Sequence, residues 1–189
     1  MHGDGSDPFR ILASLRAHGV RAVVVGGVAA SAYGSPVATD DVDVCLAGDD
    51  ENLQRLGLAL ADLGGTMVSD PSHESARASF VTVAGRLDCI ETDRYEELEA
   101  RAAQVELGHG VVVRVASVED LAELKRDTGD LRGAAHVASL LPEVDVRERV
   151  VELPPEDAPP ARDRTRVRDR IWGALEDVDT FLTNLTERR

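Results

Sequence analysis

Asp41-Val42-Asp43-Val44 alternates acid with apolar residue, and Leu46 continues the apolar set. In a strand, successive side chains point to opposite faces, so Asp41 and Asp43 share one face and the valines the other. Any fold must therefore bury one side of this strand and open the other to something that tolerates two adjacent carboxylates. Like charges repel, and a site that keeps both ionised supplies a cation. Mg²⁺ suits this role, since it takes oxygen ligands from one or two carboxylates plus substrate phosphates.

Upstream, Val20–Val25 reads as a buried strand ending in Gly26-Gly27, with a short helix over Val28–Tyr33 directly after it. Glycine lets backbone approach an anion closely, and a helix N-terminus offers unpaired N–H groups. Gly26 and Gly27 are therefore candidates to cradle substrate phosphates. The P-loop and dinucleotide glycine patterns are both absent. After Gly34-Ser35-Pro36 turns the chain, the acidic strand covers Val42–Leu46. A third carboxylate, Asp88, lies in Arg86–Ile90 with Leu87 and Cys89 pointing opposite to it. If that strand lies beside the acidic pair, three carboxylates converge in a two-metal arrangement, with Asp88 as base or metal ligand.

The remaining elements follow from periodicity and caps. Asp7-Pro8 opens a helix that runs to about His18 and stops at Gly19. Residues 1–7 read as disordered. Asp49-Asp50-Glu51 starts a helix bearing Leu53, Leu56, Leu60 and Leu63, ended by Gly64-Gly65. Ala78–Val83 and Arg86–Ile90 form a hairpin around Ala84-Gly85, Tyr95–Ala103 a helix, and Val105–Leu107 with Val111–Val115 a second hairpin. Ser117 with Asp120 has the form of a capping box for a helix through about Arg126, and another helix covers about Leu131–Leu141. These elements give one α/β (α+β) domain over residues 1–150, with a small mixed sheet and flanking helices.

A proline-rich linker follows at 151–161, then one amphipathic helix within 162–189. Its apolar stripe, Val167, Ile171, Leu175, Val178, Leu182 and Leu185, must be covered by the core, a second subunit or a partner protein. Arg162, Arg166 and Arg170 lie on another side, available to RNA phosphates or to solvent.

Charge bounds the partners. The 189 residues carry a formal net charge of −14, against any large nonspecific nucleic-acid surface. All but one of the 21 basic residues are arginine, so Lys125 is the sole side-chain ammonium. No apolar run is long enough to span a bilayer, and the N-terminus has no signal-peptide pattern, so a cytoplasmic location is expected. Cys45 and Cys89 are then expected as buried thiols.

Together, Gly26-Gly27, Asp41-Val42-Asp43 and Asp88 resemble the nucleotidyltransferase superfamily, with its polymerase-β-like fold. Gly34 to Asp43, Glu51-Asn52-Leu53, Tyr95–Leu98 and Val115–Lys125 are further similar to small bacterial nucleotidyltransferases of the AbiEii/MenT toxin type. This resemblance, over roughly residues 20–141, implies Mg²⁺-dependent transfer of a nucleotide from an NTP to an acceptor hydroxyl. For the toxin members that acceptor is the 3′ end of tRNA, and an antitoxin protein is the implied partner. It also implies that Asp41, Asp43 and Asp88 hold metal and that Lys125 binds triphosphate. Two places depart from the pattern. Val37 or Ala38 stands where members often carry Arg, and Gly129–Gly133 replaces a Gly-Arg-Pro-Lys-Asp run. These departures keep open a non-catalytic member that binds nucleotide or a partner. The acidic composition keeps open a small-molecule adenylyltransferase with a cationic acceptor such as an aminoglycoside.

Overall fold

The computed structural model describes residues 6–36, 39, 41–68, 77–90, 92–108 and 110–127, with 133, 137 and 140 as single positions. The expected helix over 131–141, the linker and the C-terminal helix lie almost wholly outside the described residues.

Helix α1 (Pro8–Ala17) leads into β1 (Ala22–Val25) and α2 (Gly26–Ala32). Then come β2 (Asp41–Leu46), α3 (Asp50–Asp62) and β3 (Thr66–Val68). A hairpin of β4 (Arg77–Thr82) and β5 (Gly85–Ile90) precedes α4 (Tyr95–Arg101). The hairpin of β6 (Ala103–Glu106) and β7 (Val112–Val115) is followed by α5 (Val118–Asp127). The strands form one mixed sheet in the order β3-β4-β5-β2-β1-β7-β6. Two pairings are parallel, β2 with β5 and β1 with β7, and the rest are antiparallel.

Burial differs across the sheet. Val23, Val24 and Val25 of β1 and Val42, Val44, Cys45 and Leu46 of β2 are all buried, so the centre is covered on both faces. Strand β4 alternates instead: Ala78, Phe80 and Thr82 are buried while Arg77 and Val81 are exposed. One face of the β3–β4 flank is thus open among the described residues. Helix α1 buries Ile11, Leu12 and Leu15, and α3 buries Leu53, Leu56 and Leu60; the two helices pack on each other. Asn52, fully buried, accepts from the Arg21 N–H at 2.6 Å and donates to the carbonyls of Arg21 and Ala47, both at 2.9 Å. It ties α3 to the approaches of β1 and β2 and leaves no buried polar atom unpaired there.

Several expectations need correction. Helix α2 starts at Gly26 and not after Gly27, so both glycines belong to its first turn. Strand β1 begins at Ala22, because the backbone of Arg21 is already held by Asn52. Helix α4 stops at Arg101, since Ala103 pairs with Val115 in the sheet and that pairing outweighs alanine's helix preference. Strand β3 has no clear pattern of its own and exists by pairing Met67 with Phe80. Asp7 is not loose: its N–H donates to the Ala84 carbonyl at 2.7 Å, and its side chain caps α1 through Arg10.

Candidate active site

Parallel pairing of β2 with β5 sets Asp43 beside Asp88 and Asp41 beside Arg86. Antiparallel pairing of β1 with β2 sets Val25, and hence Gly26, beside Asp43. Among the described residues, Asp41, Asp43 and Asp88 form a group in which one carboxylate oxygen from each lies within 4.8 Å of the others. Asp88 is 1% exposed, which excludes the reading of an ordinary solvated strand residue. The donor set is three carboxylates and nothing softer. It fits a hard divalent ion better than zinc or copper, which favour nitrogen and sulfur.

The glycines acquire a local reason. Gly26 has φ +65°, and a Cβ there would fall 2.0 Å from Asp43 Oδ2. A Cβ on Gly27 would fall 2.6 Å from Thr39 Cβ. Only glycine lets the β1–α2 corner close over the Asp43 carboxylate and the Thr39 side chain. The N-cap residue of α2, Val25, offers no side-chain acceptor to the helix's first N–H groups. Thr39 Oγ1 donates to Asp41 Oδ1 in a short contact, fixing that carboxylate from the loop.

Two arginines complete the charge balance. Arg77 Nη1 donates to Asp88 Oδ2 at 3.1 Å, and Arg77 Nη2 lies 3.8 Å from Asp43 Oδ1. Arg86 Nε donates to Asp88 Oδ1 at 3.0 Å, and its Nη2 donates to Ser79 Oγ at 3.0 Å. Asp88 therefore has a guanidinium on each oxygen. Asp43 is less well served: burial first, then the neighbouring Asp41 charge, raise its pKa to about 6, against smaller lowering by Arg77 and Lys125. Lys125, on α5 and partly buried, thus acts on the acidic group through its charge. Helix α5 packs against α2. Its start is held by Asp120, which accepts from Ser117 Oγ at 2.6 Å and from Arg101 Nε at 3.0 Å. The acid thus meets the serine hydroxyl, and Ser117 Oγ in turn accepts from the Asp120 N–H at 3.2 Å.

Sequence reasoning missed Arg77, Arg86 and Thr39. Arg86 was visible in principle, two residues from Asp88 and so on its face. Arg77 was not, because its position depends on the β4–β5 register. Of the two departures from the superfamily pattern, Val37 and Ala38 lie outside the described residues, while Gly133 is a partly buried position that offers neither carboxylate nor guanidinium. Cys45 and Cys89 are free and buried as expected, and the register sends them to opposite faces, Cys89 beside Val44 and Cys45 beside Ile90.

No protein-family model matches the chain, and no curated protein matches it. Among solved structures, the chain is similar to the antibiotic-resistance factor ANT(2'')-Ia in its solution structure. The two share 15% identity and a TM-score of 0.51 over 95% of this chain and 92% of that one. A candidate nucleotidyltransferase from Thermotoga maritima is 19% identical over 71% of this chain and 90% of its own, and its TM-score of 0.49 adds nothing to the fold assignment. The seven-stranded mixed sheet with its flanking helices is the fold that the chain shares with ANT(2'')-Ia.

Proposed function

We propose that the chain is a divalent-metal-dependent nucleotidyltransferase that moves a nucleotide from an NTP to an acceptor hydroxyl. The convergence of Asp41, Asp43 and Asp88 beside the first turn of α2 carries this reading. In it, Asp41 and Asp43 hold Mg²⁺, and Thr39 keeps Asp41 turned toward it. Asp88 assists as metal ligand or base, with Arg86 held on one of its oxygens. Backbone N–H groups of Gly26 and Gly27 face the phosphates, and Lys125 supports the triphosphate. The metal, when bound, activates the attacking hydroxyl and clamps the triphosphate.

For the acceptor, the spread of motif matches supports the toxin of a two-component toxin–antitoxin system, cytoplasmic and acting on the 3′ end of tRNA. The C-terminal helix would then meet an antitoxin or a second copy of the chain. The −14 charge supports a second reading, a cationic small acceptor of the aminoglycoside kind. A third reading, a non-catalytic nucleotide binder, is supported by Gly133 in place of an acid.

One assay separates them. The protein is incubated with each labelled NTP, Mg²⁺, and either total tRNA or an aminoglycoside panel. Label on tRNA supports the toxin reading and label on an aminoglycoside the second. NTP binding without any transfer favours the third. Transfer that survives in Asp41→Ala and Asp43→Ala would sink the site assignment.

A further inference from the structure

The cations that reach the three carboxylates are not equivalent. Arg86 is fixed twice, on Asp88 and on Ser79. Arg77 straddles Asp88 and Asp43 and, among the described residues, pairs with nothing else. Its side chain is 39% exposed, against 13% for Asp43 and 1% for Asp88. Asp88 is buried and Asp43 mostly so, and the guanidinium at their mouth can swing out into solvent. An ion bridging Asp43 and Asp88 would share their oxygens with that guanidinium, and two cations so close repel.

The face onto which Arg77 would turn is also distinctive. Arg77 and Ser79 of β4 and Arg86 of β5 share the sheet face that is open on this flank. Arg86 is half-exposed there, so two guanidiniums flank Asp88, one on each of its oxygens, in a strongly acidic chain. Their forked donors match phosphate oxygens, which present several acceptors in one plane.

We propose that Arg77 is a displaceable counter-ion, which fills the seat between Asp43 and Asp88 until a divalent ion is bound and then turns, on the sheet face it shares with Arg86, to the polyphosphate of the nucleotide. The anion named here rests on the nucleotidyl-transfer reading above. Arg77 thereby couples the two ligands: metal releases it, and nucleotide keeps it released. In the metal-free site Arg77 also offsets the Asp43 charge, which Arg86, held on Asp88, does not reach by an ion pair among the described residues.

The test uses the full chain and equilibrium binding. Mn²⁺ binding is followed by electron paramagnetic resonance without nucleotide, and binding of a non-hydrolysable NTP analogue is followed by calorimetry at saturating Mn²⁺. Arg77→Gln is expected to bind Mn²⁺ about three- to tenfold tighter and the analogue about tenfold weaker, the loss of one charge-assisted contact. Arg77→Lys keeps the charge without the fork, so its Mn²⁺ affinity stays near wild type while the analogue still weakens. A residue that merely braces β4 on β5 would behave otherwise: Arg77→Gln would loosen Asp88 and weaken Mn²⁺ binding, which overturns the proposal. Unchanged affinity for both ligands in Arg77→Gln overturns it too, and leaves the nucleotidyl-transfer reading standing. If the wild-type chain binds neither Mn²⁺ nor the analogue, both readings fall together.

Discussion

Asp43 is the residue on which the site turns. Its pKa of about 6 lies above the ordinary carboxylate value, so the native state holds this proton more tightly than the unfolded chain does. That contribution to stability is fully present below about pH 4 and is lost as pH rises through about 6. In chelator, the metal-free protein should therefore lose stability across this window. Asp43→Asn should recover about 1–3 kcal/mol at pH 7.5, measured by urea unfolding. A variant less stable than wild type in chelator would contradict this. Gly26→Ala should act the other way. A methyl group there combines a left-handed φ with a Cβ driven onto the Asp43 carboxylate. The expected cost is about 2–4 kcal/mol together with lost Mn²⁺ binding, checked by unfolding and by metal titration.

Among the elements, α5 matters because it carries Lys125. Its anchor, Asp120, is 2% exposed, and burial alone would raise its pKa; the hydrogen bonds from Arg101 and Ser117 win and hold it below the usual carboxylate value. The stability it supplies is present above the ordinary carboxylate range and is lost as pH falls through its depressed pKa. Asp120→Asn should cost about 1–2 kcal/mol, discounted because Arg101 is half-exposed and screened, with salt shrinking the effect. Unfolding at low and high ionic strength checks this, and hydrogen exchange on α5 shows whether the loss is local. The elements also show what the sequence made legible. Helices α1, α3 and α5 could be read because their caps, the acidic first turns of α3 and α5 and the leucine spacing of α3 are local signals. Strand β3 could not, since Thr66–Val68 is defined by its partner and not by its own pattern. The three aspartates were legible because period-two alternation fixes the face of each one. Arg77 stayed hidden because register is a property of two strands.

For the whole molecule, divalent ions should be stabilising ligands. A native state that binds them gains RT ln(1 + [L]/Kd), about 2.7 kcal/mol at a hundredfold excess over Kd. Thermal unfolding should therefore shift upward with added Mg²⁺ or Mn²⁺, and the shift should vanish in the Asp41→Ala, Asp43→Ala double variant. An equal shift in both proteins would mean that the ions act elsewhere.

The parallel seam between β2 and β5 has a last consequence, for the order in which the chain assembles. Every other contact of β5 among the strands is to its hairpin partner β4, a local pairing that closes early. Joining Asp43 to Asp88 instead requires a loop through α3, β3 and β4 to close first. That closure brings the carboxylates together, against their repulsion. Assembly of the acidic group is thus tied to a long-range step of folding, and a chain in which this seam has not closed has no acidic group to offer a cation.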